Sequence, residues 1–119
     1  MDSIYILVRP DIWELAQKTH QFFERTLANE GFIHACHWHQ LDRVANAYFQ
    51  DAQDLVIVEI DPAQVQPPIR WEESASTGEV YPHIYGILNI SATTEVQRIH
   101  RSNLQERFEI PAQASVLQR

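Results

Sequence analysis

The sequence predicts an α+β domain, and three observations predict it. Leu55-Val56-Ile57-Val58 is an unbroken apolar run inside Asp54–Ile60, the pattern of a strand covered on both faces. Helical and strand-like segments are mixed without regular alternation, and strands outnumber helices after residue 54. The chain has 119 residues, enough for one core that removes roughly two-thirds of the unfolded chain's surface from water.

Taken in order, Ile4 to Val8 is β-branched and aromatic and reads as a buried first strand, ended by Pro10. Asp11 is a suitable N-cap for a helix over 12–18 that turns Ile12, Leu15 and Ala16 inward. Phe22 and Phe23 suit a short edge strand, and residues 26–30 a single helical turn. Gly31 breaks the polar run before Phe32-Ile33, a short strand on which His34 and Cys36 would share one face. That strand is expected to feed directly into a helix with Leu41, Val44, Ala45 and Tyr48 at helical spacing. An imidazole and a thiol would then lie near unpaired N–H groups, a good place for an anionic ligand.

Asp51 to Gln53 is a polar turn, and Asp61-Pro62 stops the strong strand because Pro lacks a donor. Gln66-Pro67-Pro68 is a stiff connector, Ile69–Glu72 a short strand, and Glu73–Gly78 a small polar segment that reads as a mobile loop. Glu79-Val80-Tyr81 leads into Pro82–Gly86, and further strands are expected over 87–90 and 93–99. Residues 1–100 form a single domain in this reading, with 101–119 a C-terminal helix or flexible tail.

Net charge is −7 and unevenly placed: residues 1–97 carry five Arg and Lys against fourteen Asp and Glu, whereas 98–119 carry four Arg against two Glu. An acidic body repels a phosphate backbone, which speaks against nucleic acid as a partner. Eight of the nine basic residues are Arg, whose fork suits phosphate or carboxylate. The lone Cys36 excludes an internal disulfide and fits a reducing compartment. No signal peptide or membrane-length apolar run is visible, so a cytoplasmic protein is expected, with no membrane partner.

Gly31-Phe32-Ile33-His34, Asp54 through Pro62, Arg70-Trp71-Glu72 and Pro82-His83-Ile84-Tyr85-Gly86, in that order, resemble the bacterial domain of unknown function family 952, over Ile4 to Ile99. That family is similar to the ADP-ribosyltransferase-like fold, so the resemblance implies two small, mostly antiparallel sheets forming a cleft with short flanking helices. In enzymes of that fold the cleft holds NAD. Ile33-His34-Ala35-Cys36 also resembles the Val-His-Leu-Ser strand of RNA 2'-phosphotransferases. Two departures stand out: the family usually carries a first-strand His where this chain has Ile6 after Tyr5, and a Ser where it has Cys36.

The candidate catalytic residues are His34, an imidazole able to act as acid, base or hydrogen-bond donor, and Glu72. The alternative for His34 is a backbone hydrogen bond that fixes its strand. Tyr5, Cys36, Trp71, His83, Tyr85 and Gly86 are the candidate ligand-contacting residues. Cys36 is either a thiolate near a helix start or a small buried side chain. Trp71 beside Glu72 can hold a base or sugar, and His83 and Tyr85, two apart, line one face. His37 and His39 add imidazoles, yet on a strand they would oppose His34 and Cys36, so no metal is expected. Trp13 reads as core. Three functions follow: a nucleotide- or NAD-like cleft performing ADP-ribosyl transfer or glycosidic cleavage, a non-catalytic small-molecule or peptide binding module, or an interaction protein. NAD is the one candidate cofactor, and the oligomeric state is open.

Overall fold

A computed structural model describes residues 2–113. The elements are β1 (Ile4–Val8), α1 (Pro10–Thr19), β2 (Gln21–Phe22), α2 (Arg25–Glu30), β3 (Ile33–His34), α3 (Leu41–Tyr48), β4 (Asp54–Ile60), β5 (Ile69–Glu73), β6 (Val80–Ile84), β7 (Leu88–Asn89) and β8 (Thr93–His100). They build three small antiparallel sheets, ordered β1-β4-β8, β2-β7 and β3-β6-β5, where two were expected.

β4 is central because its apolar run can be buried on both sides. On one face Ile4, Ile6, Val8, Val56, Val58 and Ile60 pack with Trp13 of α1, Phe22 and Ile84. On the other, Tyr5, Leu7, Leu55, Ile57 and Ile99 pack with Leu41 and Ala45 of α3 and with Phe108. β8 covers the far edge of β4 over its whole length, with a register shift at Glu59/Ile60. No helix of the described residues is long and apolar enough to cross a membrane.

Three local expectations are corrected. α1 begins at Pro10, with Arg9 as N-cap; proline's fixed φ suits the first helical position, so Asp11 lies inside the first turn. Its buried face is accordingly Trp13 and Ala16, while Ile12 and Leu15 are exposed. In α3, Leu41 and Ala45 are buried as expected, but the helix ends at Tyr48, whose ring is exposed. A 3-10 turn, Trp38–Gln40, separates β3 from α3, so strand does not run directly into helix. In that turn Gln40 is buried, accepts from His37 N–H at 2.8 Å and donates to the Val80 carbonyl at 3.0 Å.

Residues 101–113, expected as helix or loose tail, form no regular element yet are packed down. Arg101 is 6% exposed, Phe108 is buried, and Asn46 of α3 exchanges hydrogen bonds with the Phe108 backbone. The rest of the expected tail, 114–119, lies outside the described residues.

Candidate functional site

The β3-β6-β5 sheet turns one face to the core through Ile33 and Ile84 and the other outward. Antiparallel register decides the outward neighbours: His34 stands opposite His83, and His83 opposite Arg70. Because strand side chains alternate, Phe32, Arg70, Glu72 and Tyr85 belong to the same outward face. Six residues from three segments of the chain thus share one face, and Glu72 bonds two of them, His83 and Tyr85.

Glu72 Oε1 accepts from His83 Nδ1 at 2.8 Å and from the Tyr85 hydroxyl at 2.5 Å. Those two donors, Tyr85 first, hold the Glu72 carboxyl below its usual range, so it is ionised at neutral pH. An ionised carboxylate only accepts, which places the neutral His83 proton on Nδ1 and leaves Nε2 as an acceptor. Reciprocally, the Glu72 contact pushes the Tyr85 hydroxyl pKa up. Among the described residues no donor meets the second oxygen, Glu72 Oε2, and the Glu72 side chain is 38% exposed.

Aromatic rings frame the carboxylate. Phe32 stacks on His83 with centroids 4.0 Å apart and 17° between planes, and His34 meets both rings edge-on at 4.9 and 5.3 Å. The Arg70 guanidinium lies over the Tyr85 ring, 4.9 Å from its centroid. His34 Nε2 pairs with Glu30 at 3.1 Å across the end of α2, where Gly31 takes a left-handed φ of 89° to close the helix. Chemically, the face offers a carboxylate with one free oxygen, two imidazoles and a guanidinium.

The other expected site residues lie elsewhere. Trp71 neighbours Glu72 in sequence and therefore points to the opposite side of the sheet, where it is 44% exposed at the edge, so it cannot stack over that carboxylate's ligand. Cys36 does not share the His34 face, because β3 ends at His34 and the chain crosses to β1. There Cys36 and Tyr5 exchange both backbone hydrogen bonds at 2.8 Å. Burial in the second core pushes the Cys36 thiol up to about 12, which excludes a thiolate. Tyr5 is 2% exposed, stacked edge-on against Trp38 and bonded to Glu59. Gly86 serves close packing: a Cβ there would lie 2.7 Å from Pro67 Cβ. His37 and His39 stack on each other on the 3-10 turn, with His37 held below its ordinary pKa by burial and the neighbouring His39. Among the described residues no group of three or more His, Cys, Asp or Glu is placed to hold a metal ion.

Phe32, Arg70 and Glu30 were not singled out, although period-two spacing from His34 and Glu72 points to the first two. Two recesses lie away from the cluster. One, about 30 Å³, is lined by Tyr5, Trp38, Glu59 and Gln113 among others; the second is an open groove of about 520 Å³ beside His20 and Asn89.

Residues 7–96 match the family described as "Protein of unknown function (DUF952)". The chain belongs to that family. Every residue of the outward face lies inside the matched span of the DUF952 domain, whereas Tyr5 and Ile6 lie just before it. The crystal structure of protein CC0527 from Caulobacter crescentus is similar, with a TM-score of 0.79 at 22% identity over 91% of this chain and 94% of that one. A double mutant of CC0527 superposes equally well. The solution structure of CC0527 gives a TM-score of 0.71 at 25% identity, over 84% of this chain and 86% of that one. No curated protein matches the sequence. The α+β architecture with small antiparallel sheets is therefore shared with a solved protein, and the chemistry has to be argued from the face itself.

Proposed function

We propose that the outward face of the β3-β6-β5 sheet binds a small hydroxyl-bearing ligand of the nucleotide or NAD type, with Glu72 as the group that engages its sugar. One observation carries this reading. Two donors converge on Glu72 Oε1 and fix the carboxylate, while Oε2 has no partner among the described residues. A carboxylate oriented in this way accepts from a ribose hydroxyl and opposes positive charge on a sugar whose glycosidic bond is lengthening. Arg70 supplies a fork for phosphate, and the exposed His34 edge a second contact to phosphate or ribose. The resemblance to the ADP-ribosyltransferase-like fold supports the same ligand class by analogy. With NAD as substrate, the reaction is cleavage of the bond to nicotinamide, the ribosyl group passing to water or an acceptor.

A second reading, a binding module without turnover, is favoured by one feature. Ile6 stands where the family's first-strand His is expected, and it is buried in the first core, so no side chain from β1 replaces that His.

Ligand-observed NMR with NAD, ADP-ribose and nicotinamide separates the readings. The enzyme reading expects NAD contact that is lost in His34→Ala, with free nicotinamide accumulating over a day and Glu72→Gln abolishing release while keeping contact. The binding reading expects contact without release, weakened in both variants. No contact with any of the three ligands overturns the nucleotide and NAD reading and leaves a binding module for a ligand of another class.

A further inference from the structure

Away from the β3-β6-β5 face, three residues stand in one row across the central sheet. Tyr5 on β1 pairs with Glu59 on β4, and Glu59 pairs with Glu95 on β8. Residues directly opposite in an antiparallel ladder face the same way, so two carboxylates are held side by side, an arrangement that is unfavourable unless something positive offsets it. Among the described residues neither carboxylate forms an ion pair. Glu59 accepts instead from the Tyr5 hydroxyl at 3.0 Å and from Thr94 at 2.6 Å.

The row does not lie on bare surface. Trp38 meets Tyr5 edge-on at 5.1 Å, and Gln113 closes from above by donating to the Tyr5 hydroxyl. Together with Gln97 these groups line the recess of about 30 Å³. Aromatic rings attract a cation through their faces, and the neighbouring carboxylates add charge and acceptors. The volume admits one small head group about the size of a water or an ammonium. The second core seals the floor through Ile57, so a bound cation would be screened from water on that side.

We propose that this recess binds the ammonium head of a primary amine, either a free alkylamine or a lysine side chain, through Glu59, Glu95 and the Tyr5–Trp38 rings. The site is separate from the β3-β6-β5 face and stands or falls independently of the ligand bound there.

Titration of 15N-labelled protein tests it. With n-butylammonium as probe, saturable shifts are expected at the Trp38 indole N–H and at the amides of residues 95–97, and none with 1-butanol, which has the same chain without the charge. Quaternary n-butyltrimethylammonium exceeds the recess and is expected to bind at least fivefold more weakly. Glu95→Gln, at an exposed side chain, and Glu59→Gln, which keeps one acceptor for the Tyr5 or the Thr94 hydroxyl, are each expected to weaken n-butylammonium at least fivefold; their spectra report whether the fold is kept. Nα-acetyl-lysine methylamide decides the source: tighter binding than n-butylammonium assigns a lysine side chain, and equal or weaker binding a free amine. Absence of saturation, an equal response to 1-butanol, or unchanged affinity in folded Glu95→Gln overturns the proposal.

Discussion

Replacing Arg101 by Ala is predicted to be among the most damaging single changes in this protein. The guanidinium is buried and has no carboxylate partner among the described residues. It donates instead to four backbone carbonyls: Ala52 at 2.8 Å, and Phe49, Gln50 and Glu106 at 2.9 Å each. It also lies 4.3 Å from the Phe108 ring centroid. The bond to Ala52 is fully buried, so leaving that carbonyl unpaired costs about 2 kcal/mol. The other three are partly buried and together contribute about 2 kcal/mol, with about 1 kcal/mol more from the cation–π contact. The sum, about 5 kcal/mol, is in the range that marks loss of a buried network and corresponds to a fall in Tm of about 20 °C. Arg101→Lys keeps the charge but reaches fewer carbonyls, and about half the loss is expected. Urea unfolding followed by tryptophan fluorescence measures both. A loss below about 1 kcal/mol in Arg101→Ala would refute the argument and mean that residues 101–113 contribute little to stability.

Further outcomes follow from the same contacts. Cys36, with its thiol pushed up to about 12, is expected to resist iodoacetamide at pH 8 in the folded protein and to react at once in denaturant; rapid alkylation of the native state would contradict its burial. Glu72 has its carboxyl pKa depressed below 4.5, by the Tyr85 hydrogen bond first and His83 second, so its contribution to stability is present above 4.5 and fades as pH falls through the lowered value. Tyr85→Phe removes the larger cause, and a carboxyl 13C titration should show Glu72 moving back up toward 4.5. Gly86→Ala puts a Cβ 2.7 Å from Pro67 Cβ and is expected to destabilise by about 1–3 kcal/mol, read by thermal unfolding; a neutral effect would mean that the 66–68 connector yields freely.

The strands were the legible part of the fold. Leu55–Val58 announced a two-sided strand because it is an unbroken apolar run, and Thr93 to Ile99 read as a strand because Thr, Val and Ile fill its apolar positions. Helix faces were less legible. In α1 Ala16 and Trp13 are buried as read, but Ile12 and Leu15, expected inward, are exposed, because the buried stripe runs through Trp13 and Ala16 alone. Within the candidate site, His83 and Tyr85 were correctly placed on one face by their spacing. That Glu72 joins them depends on β5–β6 register, which is a tertiary property. Trp71 was misplaced by assuming that sequence neighbours share a surface, and of the two readings of Cys36 the small buried side chain holds, because β3 ends at His34. Arg101 gave no sign of burial, since a charge is buried only when long-range carbonyls surround it, and these come mainly from the segment after α3.

The central claim is that the ligand meets Glu72 on the face it shares with His34 and His83. Its most direct test follows the imidazole 1H–13C signals of all six histidines while ADP-ribose is added. Shifts confined to His34 and His83, saturating with ligand, with the His83 shift lost in His34→Ala, are the predicted result. Saturable shifts at His20, or at His37 and His39, with His34 and His83 unmoved, would place the ligand elsewhere and contradict it.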